Sequence, residues 1–167
     1  MPDLERQTII EPLEPREVAR VAIIVSRYSQ RITDALLDGA IEEHARLTGG
    51  AEPPEVIPAP GSFELPMLAM RAATTGRYDA VVCLGCIIRG ETSHDRYIAQ
   101  SVTDGLTRVG LETGIAIGFG VLTVNDSQQA EARAGGAVGN KGAEAMSAAL
   151  ATAGALAALT IRAGRIH

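Results

Sequence analysis

Apolar and polar positions along this chain alternate between two rhythms. Val21 to Val25 is a continuous apolar run, the pattern of a strand buried on both faces. Ile32, Ala35, Leu36, Gly39, Ala40 and Leu47 then recur at helical spacing and stop at Gly49-Gly50, which predicts a helix ended by glycine. Glu55 to Ala59 reads as a short strand, and a helix begins near Ser62 to Pro66 and runs to about Thr75. Asp79 to Leu84 reads as a third strand, followed by a helix from Ser93 to about Leu111 marked by Tyr97, Ile98, Val102, Leu106 and Val109. Ile115 to Val124 is a fourth strand, softened by Gly118 and Gly120. Asn125-Asp126-Ser127 offers N-cap side chains to a short helix reaching Arg133, and a glycine-rich turn leads into a last helix, about Lys141 to Arg162.

Regular strand–helix alternation implies right-handed crossovers and a parallel sheet covered on both sides. The expected fold is α/β: a three-layer α/β/α sandwich with a flavodoxin-like, four-stranded parallel sheet. No linker or repeat divides residues 17–167, which read as a single domain. Residues 1–16 differ: they are polar, carry Pro2, Pro12 and Pro15, and hold one β-prone patch, Thr8-Ile9-Ile10. They are expected to form an arm outside the core, either loose or adding a strand to a neighbouring subunit's sheet.

Composition refines this picture. Of 167 residues 46% are apolar, but many are alanine, only 3% are aromatic and there is no Trp. A core so poor in large side chains favours further burial in an oligomer. A net charge of −5 argues against a general nucleic-acid binder. Cys83 and Cys86 have redox-motif spacing, yet Cys83 lies inside an apolar run and no second pair completes a zinc site, so both read as reduced apolar fillers and no metal is expected. Met146 to Ile161 is uncharged but Ala-rich and too short to span a bilayer, which points to a core or interface helix and no membrane partner. The N-terminus carries no signal peptide, and a cytoplasmic location is expected.

Chemistry gathers where the strands end. Ser26-Arg27-Tyr28-Ser29 follows the first strand, Pro60 to Glu64 the second, Arg89 to His94 the third and Asn125-Asp126 the fourth. In a parallel sheet these loops share one edge. His94 stands beside Arg89, Gly90, Thr92 and Ser93 at a helix start, a place suited to anion binding and proton transfer. Glu64 in a first turn is accounted for by the helix dipole alone, or it accepts bonds from ligand hydroxyls. Tyr28 either covers the sheet edge or offers a flat face for stacking. Arg133 and Lys141 flank a glycine-rich turn that fails the P-loop pattern because Gly142 follows Lys141. A single phosphate held by Arg133 and helix N-terminal amides fits better.

Four separated segments resemble the lumazine synthase family of riboflavin biosynthesis: Pro60-Gly61-Ser62-Phe63-Glu64-Leu65-Pro66, Leu84 to His94, Gly118-Phe119-Gly120-Val121-Leu122-Thr123, and Arg133-Ala134-Gly135 with Gly139-Asn140-Lys141-Gly142. They follow the family's order and spacing. The resemblance implies a cofactor-independent transferase that condenses 5-amino-6-(D-ribitylamino)uracil with 3,4-dihydroxy-2-butanone 4-phosphate, releasing phosphate and water. It assigns stacking to Tyr28, the ring's polar edge to backbone at Ser62, Phe63, Cys86, Ile87 and Ile88, and the ribityl hydroxyls to Glu64. It assigns the phosphate substrate to Arg89, Gly90, Glu91, Thr92 and Arg133, and proton transfer to His94. Phe119 and Lys141 are expected from an adjacent subunit. The implied assembly is a homo-oligomer of pentamers: a hollow icosahedral sixty-mer, with a pentamer or decamer as alternatives and riboflavin synthase as a further partner.

Some positions depart from the family pattern. Tyr28-Ser29 replaces the frequent aromatic-Asn, Asp95-Arg96 the frequent aromatic-Asp, and Ala137 a frequent second cation. Two rival readings have their own discriminants. A flavin or nucleotide carrier requires a phosphate loop after the first strand, where this chain has Arg27-Tyr28-Ser29-Gln30; a ligand-storage shell requires that the two substrates not be turned over.

Overall fold

A computed structural model describes residues 8–164. Its main sheet holds β1 (Val21–Ser26), β2 (Glu55–Ala59), β3 (Ala80–Ile88) and β4 (Ala116–Val124), all parallel in the order β2-β1-β3-β4. The chain moves outward from β1 to β2, then crosses back over β1 to β3, so the strand order reverses between β1 and β3. Ligand crevices of open α/β sheets form beyond the strand ends at such a point.

Alternation along β1 builds two cores. Ile23 and Val25 face α1 (Gln30–Thr48) and α5 (Lys141–Gly164), packing with Leu36, Met146 and Leu150. Ala22 and Ile24 face α2 (Leu65–Thr74) and α3 (His94–Thr113), packing with Leu65, Val102 and Leu106. That is the period-two pattern of a strand covered on both sides. The three-layer sandwich expected from sequence is the fold observed.

Close backbone approach replaces bulky side chains. A Cβ on Gly118 of β4 would lie 2.6 Å from the Ala145 carbonyl oxygen of α5, and one on Gly142 would collide with the Leu36 carbonyl of α1. Helix α5 buries Gly142, Ala145, Met146, Ala149, Leu150, Ala153 and Gly154 in this packing. The whole helix of 24 residues, longer than the uncharged stretch Met146 to Ile161, is long and apolar enough to cross a membrane by length and composition alone. It is tied to the domain by packing against α1, β3 and β4.

Three local differences from the sequence reading have clear causes. Strand β3 continues past Leu84 to Ile88 because β4 pairs with it as far as Ile88 and Val124. The glycine-rich turn after α4 (Ser127–Arg133) is a small antiparallel hairpin of β5 (Ala134–Gly136) and β6 (Gly139–Asn140), with Gly135 and Gly139 at positive φ. Of the arm, residues 1–7 lie outside the described residues, and Thr8 to Ile10 form no strand within the chain. Leu13 is docked rather than outside the core: its N–H donates to the Gly154 carbonyl at 3.1 Å and its side chain packs on the α1/α5 core. The predicted cap run resolves to Asp126, whose carboxylate accepts from the Gln129 N–H at 2.8 Å.

Substitution Gly118→Ala is expected to lower stability by about 1–3 kcal/mol, because the Ala145 backbone has to move to admit the methyl group. Urea unfolding checks this, and an unchanged midpoint contradicts the close-packing role.

Candidate active site

The register of the sheet opens the site. β1 pairs with β3 only as far as Val25 and Leu84, whereas β3 runs on to Ile88 along β4. From Gly85 to Ile88 the β1 side of β3 therefore has no strand beside it, and its backbone groups on that side face the switch-point crevice.

The other elements turn toward that gap for local reasons. At the end of β1 the buried Ser26 hydroxyl accepts from the Tyr28 N–H at 3.2 Å, tightening the turn. Ser29 takes left-handed backbone (φ 59°), a conformation that costs a non-glycine residue roughly 1 kcal/mol, and Tyr28 is left 73% exposed at the rim. After β2, Ser62 to Glu64 form a 3-10 turn leading into α2. A Cβ on Gly85 would lie 2.6 Å from the Ser62 hydroxyl oxygen, so the turn rests on β3 where a side chain is missing. The Glu64 carboxylate folds back to 3.2 Å from where a Cβ on Gly61 would sit.

These parts line a cavity of about 460 Å³. Tyr28 comes from the end of β1, Ser62, Phe63 and Glu64 from the turn after β2, Cys86, Ile87 and Ile88 from β3, and Gly90, Thr92 and His94 from the passage into α3. Those ten sequence-predicted residues are thus brought together by the fold. His94 is the first residue of α3, and Ser93 before it makes no side-chain capping bond, which leaves first-turn amides open to a ligand.

Glu64, Asp95 and His94, with the Tyr28 phenol, are the titratable oxygen and nitrogen groups of this lining, which holds no Lys or Arg. Burial pushes the Cys86 thiol up to about 11 and the Cys83 thiol up to about 12, so both are protonated near neutral pH and neither is a ready nucleophile. Both are free cysteines, as expected of apolar fillers.

The remaining predicted residues lie elsewhere. Phe119, Arg133 and Lys141 line a separate pocket of about 290 Å³ against β4. Arg133 donates from Nη1 to the Gln129 carbonyl at 3.1 Å, and Lys141 Nζ lies 2.7 Å from Glu144 Oε2. Arg133 is thus grouped with Phe119 and Lys141 rather than with Gly90 and Thr92 of its own chain. Arg89 and Glu91 are exposed and line neither cavity. Gly61, expected from sequence to let the backbone approach a ligand closely, also lines the cavity, whereas sequence reasoning missed Asp95 and Ile98. Helical spacing was the available signal for Ile98, which shares a face with His94 four residues earlier.

A flavodoxin-like sheet with a crevice at its switch point defines the class: an open α/β domain with a small-molecule-sized cavity beyond its strand ends. Comparison with known proteins narrows it. The family model described as 6,7-dimethyl-8-ribityllumazine synthase matches residues 18–157. Similar proteins bearing that name include one from Thermus thermophilus, 48% identical over 143 residues and covering 84% of this chain and 90% of the relative. One from Chlorobium phaeovibrioides is 49% identical over 127 residues, covering 76% and 82%. A third, from Caulobacter vibrioides and named 6,7-dimethyl-8-ribityllumazine synthase 1, is 44% identical over 142 residues, covering 85% and 90%. The chain belongs to the 6,7-dimethyl-8-ribityllumazine synthase family, enzymes of riboflavin biosynthesis that carry out a transferase-type condensation.

Proposed function

We propose that this chain condenses 5-amino-6-(D-ribitylamino)uracil with 3,4-dihydroxy-2-butanone 4-phosphate to 6,7-dimethyl-8-ribityllumazine, in a site completed by a second copy. One observation carries the reading. The cleft gathers a stacking ring, a carboxylate and an imidazole, whereas the cations suited to a phosphate stand apart beside Phe119.

In this reading the pyrimidine stacks on Tyr28, and its polar edge meets backbone at Ser62, Phe63 and the β1-side groups of Cys86, Ile87 and Ile88. Glu64 accepts from ribityl hydroxyls. The phosphate rests on amides between Gly90 and Thr92 at the start of α3, and Arg133 reaches it from a neighbouring copy together with Phe119 and Lys141. His94 moves protons during imine formation, phosphate elimination and ring closure. Both substrates arrive activated, so the protein supplies mainly proximity and one modest proton shuttle. The chemistry calls on no metal or organic cofactor.

Assembly follows from the same separation. β4 is an edge strand of the sheet, and beside it Leu111 is 81% exposed and Phe119 45% exposed around an apolar groove. A soluble protein gains by covering such an edge with another copy. The uninterrupted hairpin between Arg133 and Lys141 supports pentamers combined into a sixty-mer. We place this assembly in the cytoplasm, with riboflavin synthase taking its product.

His94→Ala is expected to slow turnover by tens to hundreds-fold with assembly intact, measured by steady-state formation of the lumazine. Unchanged turnover refutes the role given to His94. Light scattering of the purified protein is expected to give the mass of sixty chains; a mass of five or ten chains overturns the shell.

A further inference from the structure

Asp95 plays no part in the condensation described so far, although its position calls for an explanation. Every other residue from Arg89 to Tyr97 is exposed, and Asp95 alone in that stretch is half-buried, against the cleft wall with Ile98. Among the described residues it forms none of the ion pairs, which join Arg20–Asp79, Arg31–Glu131, Arg46–Glu43, Arg77–Glu55, Arg108–Glu112 and Lys141–Glu144. Its carboxylate therefore lines the cleft with no partner among those pairs, in place to accept a hydrogen bond from a bound molecule.

Two ordinary explanations fall short. An acidic residue in a first helical turn gains from the helix dipole, but it gains as much when turned to solvent. Support of His94 is disfavoured by spacing, because consecutive helical side chains do not face each other. What remains is the ligand. The lining holds two carboxylates, Glu64 and Asp95, and no Lys or Arg, so the half of the site supplied by one copy favours a molecule rich in N–H and O–H donors over an anion.

We infer that Asp95 is a substrate-orienting residue: its carboxylate accepts a hydrogen bond from the amino-bearing edge of the pyrimidine, and its charge confines the phosphate substrate to the Gly90–Thr92 end. This deepens the proposed function and rests on it. With Glu64 holding the hydroxylated chain, Asp95 fixes the amino group on the neighbouring ring carbon of the same molecule. The reacting amine then points toward the carbonyl partner instead of turning end for end.

Steady-state kinetics of the full chain, with each substrate varied separately, test the inference. Asp95→Asn is expected to raise KM for 5-amino-6-(D-ribitylamino)uracil on the order of tenfold, the loss of a charge-assisted hydrogen bond. KM for the butanone phosphate stays the same or falls, and Asp95→Glu, which keeps the charge, restores most of the pyrimidine affinity. A purely structural role has no reason to separate the two substrates. If the Asn variant fails to assemble, Asp95→Ser is measured in its place. An unchanged pyrimidine KM, or both KM values rising together, overturns the inference. A wild-type chain that makes no lumazine overturns the proposed function instead, so the two failures are distinguishable.

Discussion

The site depends on a mismatch in strand length. β3 outruns β1, so the segment from Gly85 to Ile88 pairs with β4 on one side and with no strand on the other. A parallel strand that stays paired along one flank is held rigidly, yet its free flank presents backbone donors and acceptors at fixed spacing. Everything else in the cleft is arranged around that half-open strand. The Ser62 turn seats on Gly85, α3 begins just past Gly90, and Tyr28 stands at the end of the shorter β1.

Charge is divided along the same line. The half-open flank looks into a cavity with carboxylates and an imidazole, while Arg133 and Lys141 occupy a pocket along β4. A phosphorylated partner for a donor-rich ring is poorly served by either pocket alone. In the proposed reaction the second pocket neutralises the phosphate and the first holds the ring. Bringing the edge of one copy against the cleft of another satisfies both needs and covers an exposed apolar groove. Burial and catalysis thereby favour the same contact.

Much of this was legible in the residues. The two-face burial of β1 was written in an uninterrupted apolar run, and the cleft residues at the strand ends were visible as chemistry misplaced for a core. The limits are also physical. Gly85 breaks the apolar run, so the strand appears to stop at Leu84, although its ladder with β4 carries it on to Ile88. Glycines and short hydrogen-bonded turns hid the hairpin after Arg133, because pairing of two or three residues leaves no periodicity to read. The grouping of Arg133 with Phe119 depends on tertiary placement that spacing along the chain does not encode. Ser29 is a finer case: its left-handed backbone suits asparagine better than serine, which gives a physical reason for the asparagine common in the resembling family.

Mixing two impaired variants tests the shared site most directly. His94→Ala disables the cleft and Arg133→Ala the edge pocket, each in every copy when made alone. Co-assembled at limiting butanone phosphate, they should regain activity well above the sum of the separate proteins, since some contacts then unite an intact cleft with an intact edge. Mixed assemblies no more active than that sum would contradict a site built from two copies.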